Sequence, residues 1–436
     1  MFAERRAQLM SAMRAEADHT AAIFVAAREL TRNSDVTFEF RQDSTFYYLT
    51  GFDEPDAVAL IRPGAEAPFV MFVRPHDPQM AIWVGARAGI EGAIANHGAD
   101  EAYPIDELEE RLPELLAETE ALYYPLGVDA EVDALVSKHL AGRRRGSQRG
   151  GTPLTSLRDP SPIVDEMRLQ KSEPESAALA RAVTLTGHGF EIAMRMTRPG
   201  LHEYEVQAMM EAEFRRLGSR RNGYPSIVAG AHDSCILHYT SNRKQLRDGD
   251  LLLIDAGAEW DYYTADVTRT WPVNGTFTPE QRAVYDVVLR AQQAGIAHAQ
   301  PGARFDGVHE ATVRVLVEGL VELGILEGEI DQLIEDNAYR PFYMHSTSHW
   351  LGMDVHDVGR YRDGEESVVL RPGMCFTVEP GLYLDPDNED VPEPYRGIGI
   401  RIEDDILITD DGHRNLSAHI PSDPDEIEAI VGSAGE

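Results

Sequence analysis

The chain has 436 residues, 43% of them hydrophobic, which is long enough for two ordinary cores and too apolar for disorder. Its formal net charge of −34 repels phosphate, which excludes nucleic acid and anionic membrane surfaces as expected partners. No apolar run reaches the ~20 residues of a membrane span, and Glu4, Arg5, Arg6, Arg14 and Glu16 interrupt the first twenty residues, so neither a span nor a signal peptide is expected.

Two cysteines, Cys235 and Cys375, make no disulfide framework and fit a reducing cytoplasm. Lysine occurs three times, at Lys138, Lys171 and Lys244, so 37 of the 40 basic residues are arginine. Few lysines among 74 acids mark either a saline habitat or a GC-rich genome.

In chain order, Phe46–Gly51, Ala57–Ile61 and Phe69–Val73 read as strands, and Glu107–Thr119 as a helix. Gly142–Gly151, with Arg143 to Arg145, reads as a solvated polar loop, and Asp159-Pro160-Ser161-Pro162 adds turn chemistry. Ser172-Glu-Pro-Glu175 opens a helix that runs to about Met196. A boundary near residue 165 divides a first domain, 1–165, from a second, 166–436. Thr278-Pro-Glu-Gln281 is a further helix start, with a capping box and proline at the first helical position. Pro199-Gly200 before Val206 echoes Pro301-Gly302 before Val308, a weak sign of a duplicated α/β half.

Four carboxylates share one setting in the second domain. Asp255 ends the apolar run Leu251–Ile254, and Asp266 lies within the strand-like stretch Tyr262–Trp271. Glu379 follows Cys375–Val378, and Glu403 follows Gly397–Ile402. Alternation puts Ile398, Ile400 and Ile402 on one face and Gly399, Arg401 and Glu403 on the other. An unpaired carboxylate in an apolar interior costs several kcal/mol or takes up a proton. Any one acid could end its strand at a wet edge. All four together need cationic charge, and Arg269 and Arg401 are the main bases nearby.

His345, His349 and His356 cluster downstream. The spacing of His345 and His349 mimics a zincin helix, but Ser346 stands where that motif needs glutamate, and Gly352 and Gly359 argue for loop. One of the three is expected as a metal ligand, the others as its supports. Four carboxylates with one imidazole favour Mn²⁺, with Co²⁺, Fe²⁺ and Zn²⁺ as alternatives. Five ligands suit two ions, which ~3.5–4 Å apart can polarise a carbonyl and activate water, so hydrolysis is the natural chemistry.

The motifs Ile254–Gly257, Ala265–Thr270, Ser348–Gly352, Val355–Gly359, Val378–Gly381 and Ile400–Asp404 together resemble the metal motifs of the pita-bread metallopeptidases, aminopeptidase P above all. Asp43–Phe52 is similar to that family's small first domain. The resemblance implies an α/β (α+β) architecture, a small N-terminal α/β domain before a C-terminal pita-bread catalytic domain. It implies that Asp255 chelates one metal, that Asp266 and Glu403 bridge both, and that His349 and Glu379 complete the second site. Glu379 would be the general base. His238 matches a histidine lining the substrate site, and His345 and His356 match residues that contact substrate and stabilise the tetrahedral intermediate. Arg401 and Tyr383 match residues beside the site, and no ligand is missing.

The implied reaction removes an N-terminal residue that precedes proline. The substrates would be peptides with proline second, and the assembly a homodimer or homotetramer. Prolidase shares the ligand set, but Ser348-His349-Trp350 looks more like aminopeptidase P. A creatinase-like enzyme lacks metals, and a non-catalytic pita-bread binding protein has lost ligands. The intact set argues against both.

Overall fold

The computed structural model describes residues 1–147, 154 and 156–435. The chain divides into two compact units, Met1–Met167 and Arg168–Glu436. The first is built on a six-stranded mixed sheet in the order Glu101–Pro104, Phe69–Val73, Val58–Ile61, Thr20–Val25, Ala121–Tyr123, Ser156–Arg158. Its core gathers Ile23, Leu60, Val70, Phe72, Leu112, Leu122 and Val136. Two of the expected strands are there. The third, around Phe46, is instead the helix Ser44–Thr50. Its aromatic run favours a strand, but local chemistry at both ends overrides that propensity. The Asp43 side chain accepts from Phe46 N at 2.7 Å, and Gly51 closes the helix in the left-handed region at φ +65°.

Two further expectations need correction. Gly142–Ser147 is the end of the helix Ala130–Ser147, not loop, and the rest of that stretch lies outside the described residues. Arg143, in that last stretch of helix, donates to the carbonyls of Leu116, Ala117 and Thr119, just beyond the end of the helix Leu108–Leu115. The helix expected over Glu107–Thr119 is a single 3₁₀ turn, Ile105–Glu107, and a short helix, Leu108–Leu115. The proline-rich turn at 159–162 passes at once into an unforeseen helix, Ser161–Leu169.

The second unit repeats one plan. The helix pair Glu173–Met196 and Glu203–Arg216 precedes an antiparallel sheet of Ile227–Gly230, Leu251–Ala256 and Val267–Pro272. The pair Pro279–His298 and Asp306–Glu322 precedes a second antiparallel sheet of Cys375–Val378, Asp404–Ile408 and His413–Asn415. A two-stranded ribbon, Gly381–Leu384 with Ile398–Arg401, accompanies it. The expected caps are present: Ser172 N donates to Glu175 at 3.0 Å, and Thr278 and Gln281 exchange bonds of 3.0 and 3.2 Å. Gly200 and Gly302, the glycines of the two Pro-Gly pairs, both take positive φ, at +97° and +87°. The largest core packs the sheet residues Leu252, Ile254, Trp271 and Ile400 against Phe190, Val284, Val288 and Leu316 of the helices.

Candidate metal centre

One long hairpin, bent at Gly257 and turning at Asp261-Tyr262, brings the first two acids together. Asp255 pairs with Thr268 and Ala256 with Val267 across adjacent strands, so Asp266 immediately precedes the return strand, close to Asp255. The stretch expected as one strand is two, Tyr263–Thr264 and Val267–Pro272, broken at Ala265-Asp266. Gly257 makes this possible: a Cβ there would lie 1.8 Å from the Ala265 carbonyl oxygen. The alternation that buries Leu252 and Ile254 in the main core turns Asp255 to the other face, with Leu253.

The second sheet supplies the rest. The irregular segment of His349 runs antiparallel alongside Cys375–Val378, joined by an isolated bridge between Trp350 and Phe376, with Thr377 N donating to His349 O at 3.0 Å and Glu379 N to Thr347 O at 2.9 Å. That pairing sets His349 next to Glu379, 3.6 Å apart at Nε2 and Oε1. Glu403 lies between two strands, its backbone N bonded to Thr268 O at 3.1 Å. Its carboxylate accepts from Thr268 Oγ1 at 2.6 Å. The ligand atoms of Asp266, His349 and Glu403 all lie within 4.8 Å of one another.

The electrostatics are those of a site short of cations. Arg401 donates to Asp255 at 2.5 Å and to the Tyr383 hydroxyl at 3.1 Å. Arg269, expected nearby, is committed elsewhere, bonding Asp404 at 2.7 Å and the Glu403 carbonyl. The Tyr224 hydroxyl lies 2.6 Å from Asp255 and 2.5 Å from Asp266. It has one proton to give, so two ionised acids at that range cannot both be satisfied. Burial, then repulsion from its fellow acids, lifts the Glu403 carboxyl far above its usual range, and burial lifts Glu379 to about 8 although the charges of His349 and Arg401 oppose it. Burial also lifts Asp255, although Arg401 opposes it. Burial pulls His349 down, but its hydrogen bond to Asp266 and the charges of Asp266 and Glu379 carry it up to about 9. These groups crowd protons into the positions a divalent cation would neutralise, and the oxygen-rich donor set fits such an ion.

A cavity of about 470 Å³ opens above the acids. His238, His345, His349, His356 and Arg401 line it with all four acids. The apolar side is Ile227, Leu237 and Val355. The structure thus brings together nine of the ten expected site residues. The tenth, Tyr383, lies buried behind, where its hydroxyl meets His345 Nε2 at 2.8 Å. The His345 imidazole is pushed down to about 3 by burial and by Arg401, and so stays neutral. The His356 ring packs edge-on against His349 at 4.3 Å.

Sequence reasoning missed three contributors. Tyr224 joins Asp255 to Asp266, Thr268 joins Glu403 to Arg401 Nε, and the buried Asp405 accepts from Asp266 N at 3.1 Å. Thr268 carried a signal, since alternation puts it on the face of Asp266. Tyr224 lies too far along the chain for any spacing argument.

Fold and site define the class: a metal-dependent hydrolase of the pita-bread kind, with two related halves closing on one acidic cleft. The chain belongs to metallopeptidase family M24, which matches residues 177–410, and residues 2–123 match the aminopeptidase P N-terminal domain. It is 45% identical over 435 residues to the Xaa-Pro aminopeptidase of Escherichia coli (strain K12), covering 99% of this chain and 98% of that one. Xaa-Pro aminopeptidase 3 of Homo sapiens is 35% identical over 447 residues, covering 99% and 86%. The solved structure of Pseudomonas aeruginosa aminopeptidase PepP superposes with a TM-score of 0.96 at 44% identity, covering 100% of this chain and 97% of that one.

Proposed function

We propose that this chain is a Xaa-Pro aminopeptidase that carries two divalent ions, Mn²⁺ the best activator. The observation that carries the reading is the intact set of five donors around one cavity, in a chain that matches Xaa-Pro aminopeptidases from end to end. In this reading Asp255 would serve one ion, His349 and Glu379 the other, and Asp266 and Glu403 both. Bound there, the ions supply Lewis-acid polarisation of the scissile carbonyl and a more acidic attacking water.

The chain's own residues do the rest. Glu379 takes a proton from the attacking water and delivers it to the departing proline nitrogen. The neutral His345 and the exposed His356 face the developing oxyanion as hydrogen-bond partners. His238, with Leu237 and Ile227, lines the cavity where the peptide lies. Tyr383 fixes the His345 ring, and Arg401 holds Asp255. Proline's tertiary amide offers no N–H, so a site that orients its substrate through carbonyls and a ring-shaped wall suits it.

Arg401 is occupied by Asp255 and Tyr383 and is not free to receive a dipeptide's carboxylate. Xaa-Pro-Xaa tripeptides are therefore expected to be cleaved with kcat/KM at least equal to that of Xaa-Pro dipeptides, and peptides with alanine second much more slowly. The test compares the three substrates side by side with Mn²⁺ supplied. Cleavage of the dipeptide but not the tripeptide would make the chain a prolidase. A cytoplasmic homodimer or homotetramer completes the proposal, and sedimentation tests the assembly.

A further inference from the structure

Leu237, His238 and Thr240 reach the cavity from one long loop, Gly230 to Lys244. Apart from the 3₁₀ turn Ala231–Cys235 it has no regular structure, so no ladder of backbone bonds fixes the wall that meets the peptide. Its neck is tied by a side chain from elsewhere. Glu203, wholly buried, accepts from Gly230 N at 2.7 Å through one oxygen. The other oxygen accepts from Lys244 N at 2.8 Å and from the Tyr239 hydroxyl at 2.9 Å. One carboxylate thus holds both ends of the loop and the residue next to His238.

The charge of Glu203 is met without a salt bridge. Among the described residues, no lysine or arginine side chain pairs with it, and the Lys244 ammonium goes to Asp233 and the Gly230 carbonyl. Glu203 is the first residue of its fourteen-residue helix, where the amide dipoles favour an anion. The fit at the neck is close: a Cβ on Gly230 would lie 3.1 Å from Glu203 Oε1 and 2.7 Å from Leu246. The Tyr239 ring is itself anchored, packed on Ile227, Ala229 and Leu253.

The duplicated plan gives this contact a counterpart. Counted from the two Pro-Gly pairs, Glu203 in the first half stands where Phe305 stands in the second. Phe305 packs on Trp350 at 4.4 Å and on Tyr361 at 5.3 Å, bracing the stretch that carries His349 and His356. Each half steadies its histidine-bearing segment from the start of its second helix, one by hydrogen bonds and the other by aromatic packing.

We infer that Glu203 is a positioning residue for substrate recognition, holding His238 and Leu237 against the peptide through Gly230, Tyr239 and Lys244 while touching no substrate itself. This rests on reading His238 as a substrate-lining residue. The test uses the full-length chain, wild type and as Glu203→Gln, Tyr239→Phe, His238→Ala and the Glu203→Gln/His238→Ala double variant. Kinetics are measured on a Xaa-Pro-Xaa tripeptide with Mn²⁺, and amide hydrogen exchange over residues 231–243 on the metal-free chain.

Removing one hydrogen bond to a buried charge should raise KM about tenfold with kcat nearly unchanged. Exchange in the loop alone should quicken about tenfold or more. The double variant should be no worse than His238→Ala. Tyr239→Phe, which deletes one hydroxyl, carries the test if Glu203→Gln does not fold. Unchanged exchange in the loop, or losses that multiply in the double variant, would overturn the inference. If His238→Ala leaves KM unchanged while loop exchange still quickens, the assignment of His238 fails and Glu203 remains the clamp of the loop.

Discussion

The Tyr224 hydroxyl, shared between Asp255 and Asp266, states in one atom what the whole cluster lacks. With Glu379 held near 8 and His349 near 9, the metal-free site keeps protons that the unfolded chain would release. Groups whose folded values are raised lend stability at low pH and lose it as pH climbs through those values. The metal-free chain should therefore lose thermal stability progressively as pH rises from 4.5, the ordinary value of the Glu379 carboxyl, to about 9, and metal uptake below pH 8 should release protons. Calorimetry in two buffers of different ionisation enthalpy reads that release, and an affinity independent of pH would contradict it. Ligands and supports should also separate under mutation. Asp266→Ala should lose both metal and activity. His356→Ala should keep its metal while kcat falls ~10²-fold, the scale of one oxyanion partner. Metal lost from His356→Ala and kept by Asp266→Ala would reverse the roles, as elemental analysis beside kinetics can decide.

At the scale of elements, the hairpin at Gly257 does most to shape the centre. Gly257→Ala would drive a methyl into the Ala265 carbonyl, so it should cost about 3 kcal/mol or more and lower metal content with stability. A wild-type melting curve with wild-type metal would show that the hairpin relaxes freely. The same hairpin explains what could be read beforehand. Asp255, Asp266, Glu379 and Glu403 were visible because each interrupts or ends an apolar strand run, and the burial of such runs follows from their composition. The helix Ser44–Thr50 was not read, because its aromatic residues speak for a strand and only Asp43 and Gly51 speak against. Tyr224 and Glu203 escaped for a different reason. Both act on residues some 30 positions away, a distance over which periodicity carries no information.

For the molecule as a whole, a net charge of −34 is a standing repulsion within a folded surface. Salt screens such charge over ~3 Å at 1 M but over ~30 Å at 0.01 M. If the shortage of lysine reflects a saline habitat, Tm should climb with KCl, and a flat or falling Tm would leave genome composition as the explanation. No described helix is long and apolar enough to cross a membrane. The duplicated plan has a last consequence. Asp255 and Asp266 come from the first half of the second unit, and His349, Glu379 and Glu403 from the second. Neither half owns a complete centre. If the chain were severed in the turn before Thr278, each piece alone should take up metal poorly, and mixing the two should restore tight uptake. The ion would then act as a reporter of reunion, and ligand binding would measure how faithfully the two halves recognise each other.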